Sequence, residues 1–146
     1  MAILRMDHVS VVVDDLEAAK AFFVELGMEL QGEAPIQGPP VDRLNALDGI
    51  RVDIAMMRVP GTSDQVELTR FHTPAAIGRD EAAAPPNALG LRSVMFAVDD
   101  VDDTVDRLRA HGAELVGSVE QFEQGYRLAY LRGPAGIIVA LAEELS

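Results

Sequence analysis

Apolar and polar positions alternate between two rhythms, and the same sequence of rhythms occurs twice. A β-branched run from Val9 to Val13 reads as a buried strand. Asp14-Asp15 follows, suited to cap a helix and to place negative charge at its first turn. Leu16, Ala19, Phe22, Phe23 and Leu26 then recur at helical spacing, and Gly27 closes the helix where a positive φ is wanted. Leu30 begins a short second strand. Two further strands, 52–59 and 65–71, flank a turn at Pro60-Gly61-Thr62-Ser63.

An offset of 85 residues lays 8–32 over 93–117 with eight identities in 25 positions: Val9/Val94, Val13/Val98, Asp14/Asp99, Asp15/Asp100, Gly27/Gly112, Glu29/Glu114, Leu30/Leu115 and Gly32/Gly117. Chance gives about two at this composition. The second copy repeats the strand, the Asp-Asp cap, and a helix carrying Val101, Val105, Leu108 and His111. It ends in strands at 126–132 and 136–142 around Gly133-Pro134-Ala135. The closing strands align at another offset, 73, with Val66-Glu67-Leu68 over Val139-Ala140-Leu141. The first copy therefore carries twelve extra residues, mainly in 33–49, where Val41, Leu44 and Leu47 suggest a short helix. The expected organisation is a single domain spanning 1–146, with modules at about 3–72 and 91–144. Residues 73–90, with three prolines, join them.

Hydrophobic residues make up 49% of the chain, which disfavours disorder, and no apolar run is long enough for a membrane helix. The start, Met-Ala-Ile-Leu-Arg, lacks the stages of a signal peptide, so a cytoplasmic location is expected. A net charge of −12 repels nucleic-acid phosphates. With no cysteine, disulfides, thiolate metal sites and cysteine nucleophiles are excluded.

The run DHVSVVVDDLEAAKAFFVELG resembles the opening of a vicinal oxygen chelate module. VELTRF resembles its closing strand, and YLRGPAGIIVALAEEL the closing hairpin of the second module. The chain thus resembles the glyoxalase/bleomycin-resistance/extradiol-dioxygenase superfamily along nearly its whole length. The resemblance implies an α+β fold of two tandem βαβββ modules with pseudo-twofold symmetry, forming a cleft. It also implies a homodimer and a small-molecule ligand. In metal-dependent members the first and last strands of each module carry the four ligands. Their carriers here are His8, Glu67, Ser93 and Ala140. His8 and Glu67 match, whereas Ser93 stands in place of a histidine and Ala140 in place of a glutamate.

One imidazole and one carboxylate make only half of a divalent site, so no cofactor is expected beyond a weakly bound divalent metal ion. Two readings of the pair stay open: a metal-free His8–Glu67 contact, or a half-site completed by water or ligand oxygens. Strand alternation puts Gln65, Thr69 and Phe71 on the face of Glu67, and Met6 and Ser10 on that of His8. His72 and His111 read as structural. Arg127 and Asp53 lie in strands, either lining a cavity or pairing across strands. The expected function is binding of a small organic molecule in an apolar cleft. Ligand contacts are expected from His8, Glu67, Ser93, Met95 and Tyr126, with Met56 or Met57 and Phe71 as further lining. The alternative is a metal-dependent lyase, isomerase or dioxygenase acting on a small carbonyl or aromatic substrate, with Glu67 as the catalytic group.

Overall fold

The computed structural model describes residues 2–78 and 84–146. They fall into two compact units, Met1–Gly78 and Arg79–Ser146. The first contains β1 (Val9–Val12), α1 (Leu16–Leu26), β2 (Glu29–Gln37), α2 (Pro39–Asn45), β3 (Arg51–Arg58) and β4 (Gln65–Thr73). The second contains β5 (Ser93–Ala97), α3 (Val101–Arg109), β6 (Glu114–Leu115), β7 (Glu120–Phe122), β8 (Tyr126–Arg132) and β9 (Ile138–Glu144). Both units are βαβββ modules, and the fold is α+β. The linker expected over 73–90 is partly strand, since β4 runs through Thr73, and residues 79–83 lie outside the described set.

Helices α1 and α3 begin where the Asp-Asp pairs predict. The Asp15 carboxylate accepts from the Ala18 N–H at 3.0 Å, and Asp100 does the same for Asp103 at 3.0 Å. Gly27 ends α1 at φ 123°, a conformation that side-chain-bearing residues avoid. The apolar stripe of α1 (Ala19, Phe22, Phe23, Leu26) is buried, as are Val11, Val13, Ala55, Met57, Val66 and Leu68 of its sheet. Phe22 and Phe23 meet edge to face with centroids 5.1 Å apart. In the second unit Val101, Thr104, Val105 and Leu108 of α3 are buried, with Ala129, Leu131, Val139 and Leu141 on the strands.

The sheet orders are β1-β4-β3-β2 and β5-β9-β8-β6, with β7 also paired to β8. In each, the first strand lies parallel to the last. The partners are Val9↔Val66 and Ser10↔Glu67 in one unit, and Val94↔Val139 and Met95↔Ala140 in the other. Both offsets of the repeat are thereby reproduced in strand register.

Three details differ from the sequence reading. Strand β2 has nine residues rather than a short run, so part of the presumed insertion is sheet. Its counterpart is split into β6 and β7, and β7 (Glu-Gln-Phe, all exposed) lacks the alternation that would reveal a strand. The last strand starts at Ile138, because Pro134–Gly136 forms a short 3₁₀ turn. No helix among the described residues is long and apolar enough to cross a membrane.

Candidate functional site

Side chains alternate across a strand, so each sheet has a face against its helix and a face turned away from it. Val66, Leu68, Ala55 and Met57 occupy the helix-side face of the first sheet and are buried. The opposite face carries Ser10 and Val12 of β1, Gln65, Glu67, Thr69 and Phe71 of β4, and Ile54 and Met56 of β3, with His8 just ahead of β1. Met56 is therefore the methionine beside Glu67, being its register partner, and Met57 belongs to the core.

Glu67 is half-buried and held on one side. The Ser10 and Thr69 hydroxyls donate to its Oε1 at 3.2 and 3.0 Å. Its Oε2 faces His8 Nε2 at 3.5 Å. The other imidazole nitrogen, Nδ1, lies 2.7 Å from Asp7 Oδ2. An ionised carboxylate only accepts, so Nδ1 carries the proton of that bond. Arg5 donates to the other oxygen of Asp7 at 2.9 Å. The His8 hydrogen bond, with Arg5 adding to it, holds the Asp7 carboxyl below the usual aspartate value. Asp7 went unnoticed in the sequence because alternation ranks same-face neighbours and misses an adjacent residue curling back. Gln65, the extra donor weighed beside Glu67, spends its amide on the Asp7 carbonyl at 3.4 Å.

This arrangement suits a group that donates to both Nε2 and Oε2, such as a hydroxyl, an ammonium or a proton on the ring itself. It fits a divalent ion poorly. Two donors fall short of the four that a closed site uses, and among the described residues no cluster of three or more His, Cys, Asp or Glu could hold a metal.

In the second unit the equivalent positions carry different chemistry. Ser93 is exposed at the start of β5. Ala140 is completely buried, with Met95 and Tyr130 as its register partners on either side. Where Glu67 has Ser10 and Met56 as neighbours, Ala140 has a thioether and an aromatic ring. Met95, Phe122, Tyr126 and Tyr130 are all exposed, Met95 to 49%. Phe122 and Tyr126 pair directly across β7 and β8. Tyr130 and Phe122 join the expected Met95 and Tyr126 on this face. Phe122 was missed with its strand, and Tyr130 because the repeat alone does not say which strand adjoins Ala140.

The remaining polar candidates separate. Arg127 donates to Asp102 at 2.8 Å and to Gln121 at 3.3 Å, tying β8 to α3. Asp53 lies 2.7 Å from His72, at the far end of the first sheet from Glu67. His111 is exposed, just beyond the end of α3.

Residues 5–141 match the family model described as Glyoxalase/Bleomycin resistance protein/Dioxygenase superfamily. A crystal structure of a glyoxalase family protein from Bacillus cereus is 49% identical. It covers all of this chain and 97% of its own, with a TM-score of 0.94. The uncharacterized protein YaeR of Escherichia coli (strain K12) is 27% identical over 146 residues, 99% of each chain. TnmS3, an antibiotic binding protein from Streptomyces sp. CB03234, is 26% identical over 99% of this chain and 98% of its own, with a TM-score of 0.62.

Two outcomes follow from this geometry. Because the folded-state pKa of Asp7 is depressed, its bond to His8 is complete above the ordinary aspartate range and is lost as pH falls through the lowered value. Acid titration followed by NMR should show the His8 ring resonances moving in that acid limb, and Asp7→Asn should abolish the movement. Restoring a carboxylate with Ala140→Glu should lower the unfolding free energy in urea by about 1–3 kcal/mol, since the added atoms enter a filled, apolar position. Unchanged stability would mean that the position has room that its burial denies.

Proposed function

This chain belongs to the Glyoxalase/Bleomycin resistance protein/Dioxygenase superfamily, and we propose that it works there as a binding protein for a small, largely apolar organic molecule. One observation carries the reading: the sheet face of the second unit presents Met95, Phe122, Tyr126 and Tyr130 to solvent around a position filled by alanine. Strands lie roughly 4.8 Å apart, so Met95 and Tyr130 flank a strip roughly 10 Å wide. That is the scale of a fused or substituted aromatic ring system. Aromatic rings and a thioether favour flat, polarisable partners. The similarity to an antibiotic binding protein supports the same class of ligand.

In this reading Met95, Tyr126 and Tyr130 supply apolar contact, with Ser93 offering a hydroxyl on the same face. Within the first unit by itself, His8 and Glu67 offer hydrogen-bonding groups suited to a hydroxyl or amine. Glu67 is a hydrogen-bond acceptor rather than a base working on a metal-activated substrate. The metal-dependent alternative needs a fuller donor set than the His8–Glu67 pair. A homodimer, expected from the family resemblance, remains part of the proposal, as does the single-domain organisation.

Calorimetric titration with a panel of planar aromatic compounds tests the reading. Binders should emerge, and Tyr130→Ala should weaken the best of them about tenfold or more, a loss typical of a stacked aromatic contact. Glu67→Gln should weaken only ligands bearing a hydroxyl or amine. If no compound binds, and Tyr130→Ala turns a dimer into a monomer in sedimentation, the face is an interface and the reading is wrong. If the protein retains one divalent ion per chain through extensive chelation, the enzyme reading replaces it.

A further inference from the structure

The first unit has a second polar site, away from Glu67. A pocket of about 380 Å³ is lined by Pro35, Ile36, Gln37, Arg51, Val52, Asp53 and His72. It sits where β2, β3 and β4 end together: Gln37 pairs with Arg51, and Arg51 with Thr73. We propose that this pocket binds a small oxyanion, a carboxylate or a phosphate, carrying a short aliphatic tail.

Arg51 lines this pocket although the chain carries a net charge of −12. Arg51 is exposed, and its side chain has no ion-pair or hydrogen-bond partner among the described residues. His72 Nε2 lies 2.7 Å from Asp53 Oδ2, so Asp53 fixes the ring and leaves Nδ1 free. Arg70 stands directly across the ladder from Asp53, also exposed. Arg51, Asp53 and His72 thus line one pocket, with Arg70 beside Asp53 across the ladder. The Gln37 amide adds a neutral donor, and Pro35, Ile36 and Val52 form an aliphatic wall. The Arg51 guanidinium together with the Gln37 amide is a donor set able to meet two oxygens of an anion, beside the His72 ring.

The repeat supplies an internal control. The ladder partners Asp53 and Arg70 correspond to Arg127 and Glu143 of the second unit. There both side chains hold the helix: Arg127 bonds Asp102 at 2.8 Å, and Glu143 accepts from the Val101 N–H at 2.8 Å. In the first unit α1 is capped by its own Asp15, and Lys20 ties it to β2 through Glu33 at 2.8 Å. Neither Asp53 nor Arg70 anchors α1. A fold that needs these positions for helix docking uses them so in one module. In the other, Asp53 opens onto a pocket walled by the lengthened β2 that the second module lacks.

The test is an NMR titration of the full chain with acetate, butyrate and inorganic phosphate, each at constant ionic strength set with sodium chloride. Saturable movement of the His72 ring and Arg51 backbone signals is expected. Butyrate should bind more tightly than acetate because its chain reaches the aliphatic wall, and the phosphate arm tells which head group the site prefers. Arg51→Gln should weaken binding by about tenfold or more, the scale of one lost charge-assisted hydrogen bond. His72→Gln should weaken it as well. Both positions are exposed, and an unchanged spectrum elsewhere would confirm that the variants fold. Shifts that do not saturate, that sodium chloride reproduces, or that persist in Arg51→Gln would overturn the proposal.

Discussion

In each unit the first strand lies parallel to the last, and only one register of that pairing keeps Val66 and Leu68, and Val139 and Leu141, on the helix face. A slip of one residue would turn Val66 and Leu68 outward and Glu67 into the core, at the cost of a buried carboxylate and two exposed aliphatic side chains. The position of the candidate site is a by-product of this requirement. Once Val9 is set beside Val66, Ser10 stands beside Glu67, and His8 comes within 3.5 Å of it. The same rule in the second unit sets Met95 beside Ala140. The two modules therefore share a scaffold and differ in what they display. One shows a carboxylate held by two hydroxyls and an imidazole, the other a thioether and aromatic rings around a methyl group.

That division has a simple energetic sense. A half-buried carboxylate must have partners, and Glu67 has them in Ser10, Thr69 and His8. The second module has no carboxylate at this position, and Ala140 is buried with Met95 and Tyr130 as its register partners.

Much of this was legible in the sequence because periodicity and repeat reinforce each other. The β-branched run at Val9–Val13, the Asp-Asp caps and the two alignment offsets locate helices α1 and α3 and strands β1, β3, β4, β5, β8 and β9. What escaped has physical causes. The second strand of the first module carries Gly32, Ala34 and Pro35, poor strand formers, and its length comes from pairing with β3. Strand β7 has no apolar side to betray it. Asp7 and Tyr130 matter through neighbours that only tertiary structure supplies. His72 and Asp53 are 19 residues apart and on different strands, so neither announces the other.

The most direct test of the account is to watch its methionines. The chain has six, and the ε-methyl of each gives one NMR signal. Met95 lies on the aromatic face, Met56 beside Glu67, and Met57 in the core. On titration with a fluorescent apolar dye such as anilinonaphthalene sulfonate, the Met95 methyl should shift first and saturably, while Met57 stays fixed. If Met95 is silent while the dye binds elsewhere, the face that the register builds around Ala140 is not the ligand surface, and the binding-protein account is contradicted.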